Sequence, residues 1–212
     1  MDKHFTKTLA ILVMFLTLQF ISACSNNNLL PTATLHPSNT ADINSYKYLI
    51  GSGDVLNIFV WRNPEVSGSF VVRPDGMITT SLVEDIKVAG KTPTELARSI
   101  EEILGTYLRE PIVTVTVNSF VGPFSEQIRV IGEAAQPRAI NYTQHMTLLD
   151  VMIQVGGLTE FADGNDAILV RIEDGQQKKY EIMIDELLKD GEISANIDML
   201  PGDIIIIPEA WF

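Results

Sequence analysis

Cysteine is nearly absent: of 212 residues only Cys24 carries a thiol, so no intramolecular disulfide can staple the fold. Histidine is nearly as scarce. His4 and His36 lie near the N-terminus, and His145 is left alone in the body of the chain. No two imidazoles share ligand spacing, which removes the usual donor set of a zinc hydrolase. No Gly-x-Ser-x-Gly elbow occurs. Gly51-x-Gly53 precedes a strand instead of following one, so it is not a dinucleotide loop. Gly156-Gly157 falls at the end of a helix pattern, the wrong end for a phosphate. Positive charge is also short, with 15 Lys and Arg against 27 Asp and Glu and a formal net charge of −12. That balance excludes a surface built to neutralise a nucleic-acid backbone. Carboxylates are plentiful but sit scattered or in turns, with no pair marked as an acid/base couple. The chain is expected not to be an enzyme and to need no cofactor or metal.

What is present begins with a basic start, Lys3 and Lys7 against Asp2. A run of Leu, Ile, Val, Met, Phe and Ala follows over residues 9–21, broken by Thr17 and Gln19. The run falls short of the ~20 residues of a spanning helix and fits a secretory signal. It closes on Ile21-Ser22-Ala23-Cys24, which resembles the lipobox of bacterial lipoproteins. That resemblance implies a cleaved leader over residues 1–23 and covalent lipid on Cys24, with more than one acyl chain for stable anchoring. Ser25, in place of Asp, implies sorting to the outer membrane. Residues 24–45 are rich in Asn, Ser, Thr and Pro, have little to bury, and read as a flexible tether.

Two domains are expected, over residues 46–122 and 123–212. In the first, residues 55–60 read as a strand covered on both faces. Residues 70–73 and 77–79 read as a hairpin across Pro74-Asp75-Gly76. Thr92, Pro93 and Glu95 form a capping box that opens a helix. Its buried stripe is expected to hold Leu96, Ile100, Ile103, Leu104 and Tyr107, with Glu101 and Glu102 facing solvent. Val113, Val115 and Val117 alternate with polar residues as a half-buried strand. In the second domain a strand over residues 128–131 precedes a helix capped by Thr147 and Asp150 and closed by Gly156-Gly157. Asp174-Gly175 marks a hairpin, and residues 204–207 form the last strand. Gly53-Asp54 and Gly202-Asp203 each precede an apolar strand, where their carboxylates accept turn N–H groups. The class is α+β: a small mixed unit followed by a β-grasp-like sheet on one helix.

These segments resemble the polysaccharide biosynthesis and export family of outer-membrane lipoproteins. The first domain carries Tyr48-Leu49-Ile50-Gly51-Ser52-Gly53-Asp54, Arg73-Pro74-Asp75-Gly76, Lys91-Thr92-Pro93-Thr94-Glu95-Leu96 and Arg109-Glu110-Pro111. The second resembles the soluble-ligand-binding β-grasp (SLBB) domain through Val130-Ile131-Gly132-Glu133, Thr147-Leu148-Leu149-Asp150 and Leu200-Pro201-Gly202-Asp203. The resemblance implies a passive component of an export channel: a homo-oligomeric ring, in relatives often an octamer, docked on an inner-membrane polysaccharide co-polymerase and passing polymer outward. It implies a lipid-anchored protein of the outer membrane with its body in the periplasm. Larger relatives continue into an amphipathic pore helix, whereas this sequence stops at Phe212. A separate outer-membrane barrel is therefore expected as a partner, as in short members of exosortase-linked exopolysaccharide loci. Trp61, Arg62, Asn63, Arg73 and Asp75 are the candidate polymer contacts. In the blander reading Trp61 is core and Arg73 a solvated turn residue. Trp211 and Phe212 either anchor at a membrane interface or cover the edge of the last sheet. A carbohydrate-binding module without a pore and a structural adaptor remain alternatives.

Overall fold

The computed structural model describes residues 36–40 and 42–211. Cys24, the leader and Phe212 lie outside the described residues, so lipidation and the Phe212 anchor are expectations of the sequence alone. The described residues form one compact unit, built as two lobes with separate cores.

The first lobe is a three-stranded antiparallel sheet with one helix on it. Strand β1 (Val55–Val60) lies between β2 (Gly68–Val71) and β5 (Val113–Ser119). β1 alternates strictly: Leu56, Ile58 and Val60 are buried, while Asn57 and Phe59 face out. The expected two-sided covering is therefore corrected to one side. Helix α1 (Pro93–Leu104) opens with the expected capping box. Thr92 N–H donates to Glu95 Oε2 at 2.9 Å and Glu95 N–H to Thr92 Oγ1 at 3.2 Å. The buried stripe is Leu96, Ala97, Ile100 and Leu104. Tyr107 lies past the helix end, exposed, and drops out of it. Glu101 also differs from expectation. It is turned inward, pairs with Arg98 at 2.8 Å and accepts the Val113 N–H at 2.9 Å, tying the helix to the start of β5.

The hairpin over residues 70–79 closes with a single rung between its arms, Arg73 N–H to Met77 O at 2.9 Å, and its ladder goes no further. Gly76 N–H does close on Arg73 O at 2.9 Å. The first arm, however, is already taken: Val72 N–H bonds to Asp54 O and Val72 O accepts from Gly53, extending the β1–β2 pairing. The returning β3 (Met77–Ile78) pairs instead with β4 (Ile86–Lys87).

The second lobe is a five-stranded sheet ordered β7-β6-β10-β8-β9. Its members are β6 (Gln127–Gly132), β7 (Arg138–Asn141), β8 (Ala167–Glu173), β9 (Gln176–Ile182) and β10 (Ile204–Ile207). β10 runs parallel to β6 and antiparallel to β8, so the last strand closes the centre of the sheet. Helix α2 (Leu148–Val155) contributes Leu148, Val151, Met152 and Val155 to a core shared with Ile128, Leu169 and Ile205. Thr147 N–H donates to Asp150 Oδ2 at 2.9 Å, and Gly156 ends the helix in the left-handed region at φ 78°. A short α3 (Ile184–Leu188) follows β9. At the end of β6, Gly132 has φ 88°, and a Cβ there would lie 1.9 Å from Ile207 O. No other residue fits that approach between β6 and β10. Both lobes together are the α+β architecture expected, with the β-grasp-like sheet in the second.

Candidate functional site

The lobes meet at a polar joint built on Asp54. Its side chain is fully buried. Oδ2 accepts from Gly51 N–H at 2.9 Å and from Tyr48 Oη at 2.6 Å. Oδ1 accepts from Val121 N–H at 2.7 Å and Gly122 N–H at 3.0 Å. One carboxylate thus organises the start of β1 and the chain entering the second lobe. Burial, then the bond to Asp54, push the Tyr48 phenol well above its ordinary pKa. Gly51 completes the joint: a Cβ would sit 2.0 Å from the Gly122 carbonyl carbon. Across the boundary Gln127 Nε2 donates to Val121 O at 3.0 Å.

The segment read as a tether does not stand free where it is described. Ser38 Oγ and Asn39 N–H donate to the two oxygens of buried Glu126, at 2.8 and 3.0 Å. Gln144 donates to Ile43 O at 3.1 Å, and Tyr46 packs edge-on to Tyr142 with ring centroids 5.0 Å apart. Burial, aided by Glu126 and Tyr142, raises the Tyr46 pKa to about 12. Composition suggested nothing to bury. One tyrosine, Tyr142, one glutamine, Gln144, and one buried acceptor, Glu126, in the second lobe supplied the partners.

The predicted contact residues do not form one patch. Trp61 follows β1 on the outer face of the first sheet and is 54% exposed, which rules out its core reading. Its ring meets Phe59 edge-on at 6.3 Å. Trp61 N–H donates to Ile112 O at 2.9 Å, bringing exposed Ile112 alongside. Arg62 is exposed with φ 61°, and Asn63 Nδ2 returns to Trp61 O at 2.9 Å, closing the turn. Arg73 and Asp75 lie beyond the opposite end of β1, about 20 Å away at the rise of a strand. Arg73 is ion-paired with Asp75 and Asp85, and all three are exposed. The solvated-turn reading describes it well. Trp211 is 99% exposed, so it does not cover the edge of the last sheet as the bland reading had it. Pairing stops at Ala210, whose N–H donates to Phe161 O at 2.8 Å.

One depression escaped the sequence reading. It is a trough of about 520 Å³ on the core side of the β8–β9 hairpin, floored by Leu169, Ile182 and Ile197 and walled by Arg171, Glu173 and Tyr180. The register sets Leu169 opposite Tyr180 and Arg171 opposite Lys178, so alternate residues converge on one face. The signal for it in the sequence is the alternation on either side of Asp174-Gly175. Arg171 makes a two-pronged bond to buried Asp203, at 2.8 and 2.7 Å, and reaches Asp198 O at 3.1 Å. Burial opposes its charge, but Asp203 outweighs burial and raises its pKa. Asp203 also accepts the Leu200 N–H at 2.7 Å, the turn role expected of it. Glu173 accepts from Lys178 Nζ at 2.6 Å and Tyr180 Oη at 2.9 Å, and these bonds hold its carboxyl below the usual range.

Among the described residues no group of three or more His, Cys, Asp or Glu could hold a metal ion. Among them, too, no helix is long and apolar enough to cross a membrane. Comparison with known proteins gives two family matches in tandem: "Polysaccharide biosynthesis/export protein" over residues 42–118 and "SLBB domain" over residues 126–207. The chain is 29% identical to the EPS I polysaccharide export outer membrane protein EpsA of Ralstonia nicotianae, over 76% of this chain and 47% of that protein. Its counterpart in Ralstonia solanacearum is 28% identical over 74% and 47%. The capsule polysaccharide export protein BexD of Haemophilus influenzae is 26% identical over 76% and 43%. The chain therefore spans about half the length of the curated relatives it matches.

Proposed function

We propose that this chain, which matches the polysaccharide biosynthesis/export family over residues 42–118 and the SLBB domain over residues 126–207, is a ring-forming subunit of a polysaccharide export channel at the outer membrane. The observation that carries the reading is the tandem order of an export domain and an SLBB domain within one compact unit. The relatives named above carry the same function in their names, polysaccharide export. In this reading Cys24 bears the acyl anchor, the body hangs in the periplasm, and copies assemble into a closed ring around the polymer. Its partner in this reading is an inner-membrane co-polymerase. The outer face of the first sheet supports self-association: Phe59, Trp61, Val71 and Ile112 are all exposed there, more apolar surface than isolated residues would give. The joint at Asp54 supports a rigid subunit, which closed symmetry requires.

Deletion of the gene in its native host tests the reading, with surface and periplasmic polymer measured separately. Polymer should leave the surface and accumulate in the periplasm, and the wild-type gene should restore export while Cys24→Ala should not. Unchanged surface polymer in the deletion strain would overturn it. Images of the detergent-extracted protein should show rings; a strictly monomeric extract would remove the ring from the proposal.

A further inference from the structure

We propose that the trough between β8, β9 and residues 195–198 is a saccharide subsite that takes an uncharged, hydroxyl-rich or N-acetylated sugar unit. It rests on the export reading for the source of that sugar. Its size, about 520 Å³, lies within the range of small-ligand clefts, roughly 300–1,000 Å³. Its make-up is that of an amphipathic ligand's site: aliphatic and aromatic surface with a few fixed polar groups. Tyr180 is 40% exposed, and its hydroxyl is committed to Glu173. The phenol is thereby held in place, and the apolar C–H face of a sugar ring can lie against it and against Ile197.

The polar groups are placed in advance. Glu173 uses one bond on each oxygen, to Tyr180 and Lys178. A carboxylate has about four lone-pair sites, so each oxygen can still accept a sugar hydroxyl. The Asp198 carboxylate makes no hydrogen bond among the described residues, and the residue is exposed. Arg171 Nη1 likewise has no partner among them, while Nε and Nη2 are occupied. Acceptors and one donor thus remain for hydroxyl or acetamido groups.

Charge selects the class of sugar. The one cation lining the trough, Arg171, is matched by Asp203, and Glu173 is matched by Lys178 beside it, which leaves the charges of Glu181 and Asp198 in excess. A uronic acid or sulfated unit would meet carboxylates and no free cation. A strand from a second copy is the other occupant to weigh. The neighbouring edge strand is blunted against it by Lys178, Lys179 and Glu181, the charged pattern that discourages edge pairing.

The test is methyl-detected NMR on the full chain in detergent, titrated with chitohexaose, maltohexaose and hexagalacturonate. Shifts are expected at Leu169, Ile182 and Ile197 with one or both neutral sugars. Tyr180→Ala should weaken binding roughly tenfold through loss of the stacking platform. Asp198→Asn, at an exposed site that keeps the fold, should weaken it about threefold. Ile153→Ala, at an exposed position of α2 outside the trough, should leave it within about twofold. Absence of shifts with all three sugars at millimolar concentration would overturn the subsite, as would shifts confined to other residues. So would tighter binding of hexagalacturonate, or an unchanged affinity in Tyr180→Ala. If Tyr180→Ala changes the oligomer size and leaves sugar binding alone, the trough is a contact between copies and the subsite is refuted. The export reading fails separately, on unchanged surface polymer after gene deletion.

Discussion

Asp54→Ala should unlock the joint between the lobes. The substitution leaves Gly51, Val121 and Gly122 N–H groups and the Tyr48 hydroxyl without their acceptor. Hydrogen bonds to a charged group contribute about 1.5–3 kcal/mol each, but the four cannot be summed. Val121 and Gly122 are only partly buried, so water recovers some of their loss. Removing the carboxylate also relieves its own desolvation. Counting buried Gly51 in full and partly buried Tyr48, Val121 and Gly122 in part gives a net loss of about 4 kcal/mol, toward the rare end for one substitution. At about 2–4 °C per kcal/mol for a unit of this size, the melting temperature should fall by about 8–16 °C. Tyr48→Phe removes one donor and should cost about 1.5 kcal/mol, or about 3–6 °C. The double variant should melt close to Asp54→Ala, because both substitutions cut the same bond. Differential scanning calorimetry measures all three, and limited proteolysis should cut first within residues 119–124. A fall of less than about 3 °C for Asp54→Ala, with no new cleavage, would refute the view that one carboxylate holds the joint.

Arg171→Ala strands the buried Asp203 carboxylate and should cost about 3 kcal/mol in urea unfolding, whereas Arg171→Met with Asp203→Leu should recover part of that. The capping carboxylates Glu95 and Asp150 are held below their ordinary pKa by N–H and hydroxyl donors of Thr92 and Thr147. Because the folded values are depressed, their contribution is complete above about pH 4–5 and is lost as pH falls through the folded values. A Glu95→Gln, Asp150→Asn variant should therefore lose less melting temperature than wild type between pH 5 and pH 3; equal losses would contradict this. Trp61→Ala should change stability by no more than about 0.5 kcal/mol, because the ring is half exposed, yet should shrink the detergent-extracted particles if the outer face joins copies. Gly132→Ala should fail to accumulate in folded form, since its Cβ would collide with the Ile207 backbone.

Local chemistry determined much of this protein before any contact was known. The capping box at Thr92, the pairing of Thr147 with Asp150 at the start of α2, the αL glycine after α2 and the alternation of residues 113–119 involve neighbours a few residues apart, and each formed as read. The buried Gly-Asp turns were legible for the same reason, and the ordered motifs along residues 46–208 carried the resemblance that the two domain matches repeat. Tertiary structure decided what depends on partners distant in sequence. Residues 70–79 carried a sound turn signal, but Val72 bonded to residues 53 and 54 and the ladder went to β1. Glu101 was exposed by helical period and was drawn inward by the Val113 N–H. Residues 36–46 had no core of their own and found one in Glu126 and Tyr142. Trp61 and Arg73 could be ranked as contacts but not placed, since only the sheet shows them at opposite ends of β1. The trough needed the register of β8 against β9 and the return of residues 195–198, because a cavity is a property of surfaces that meet, not of any one segment.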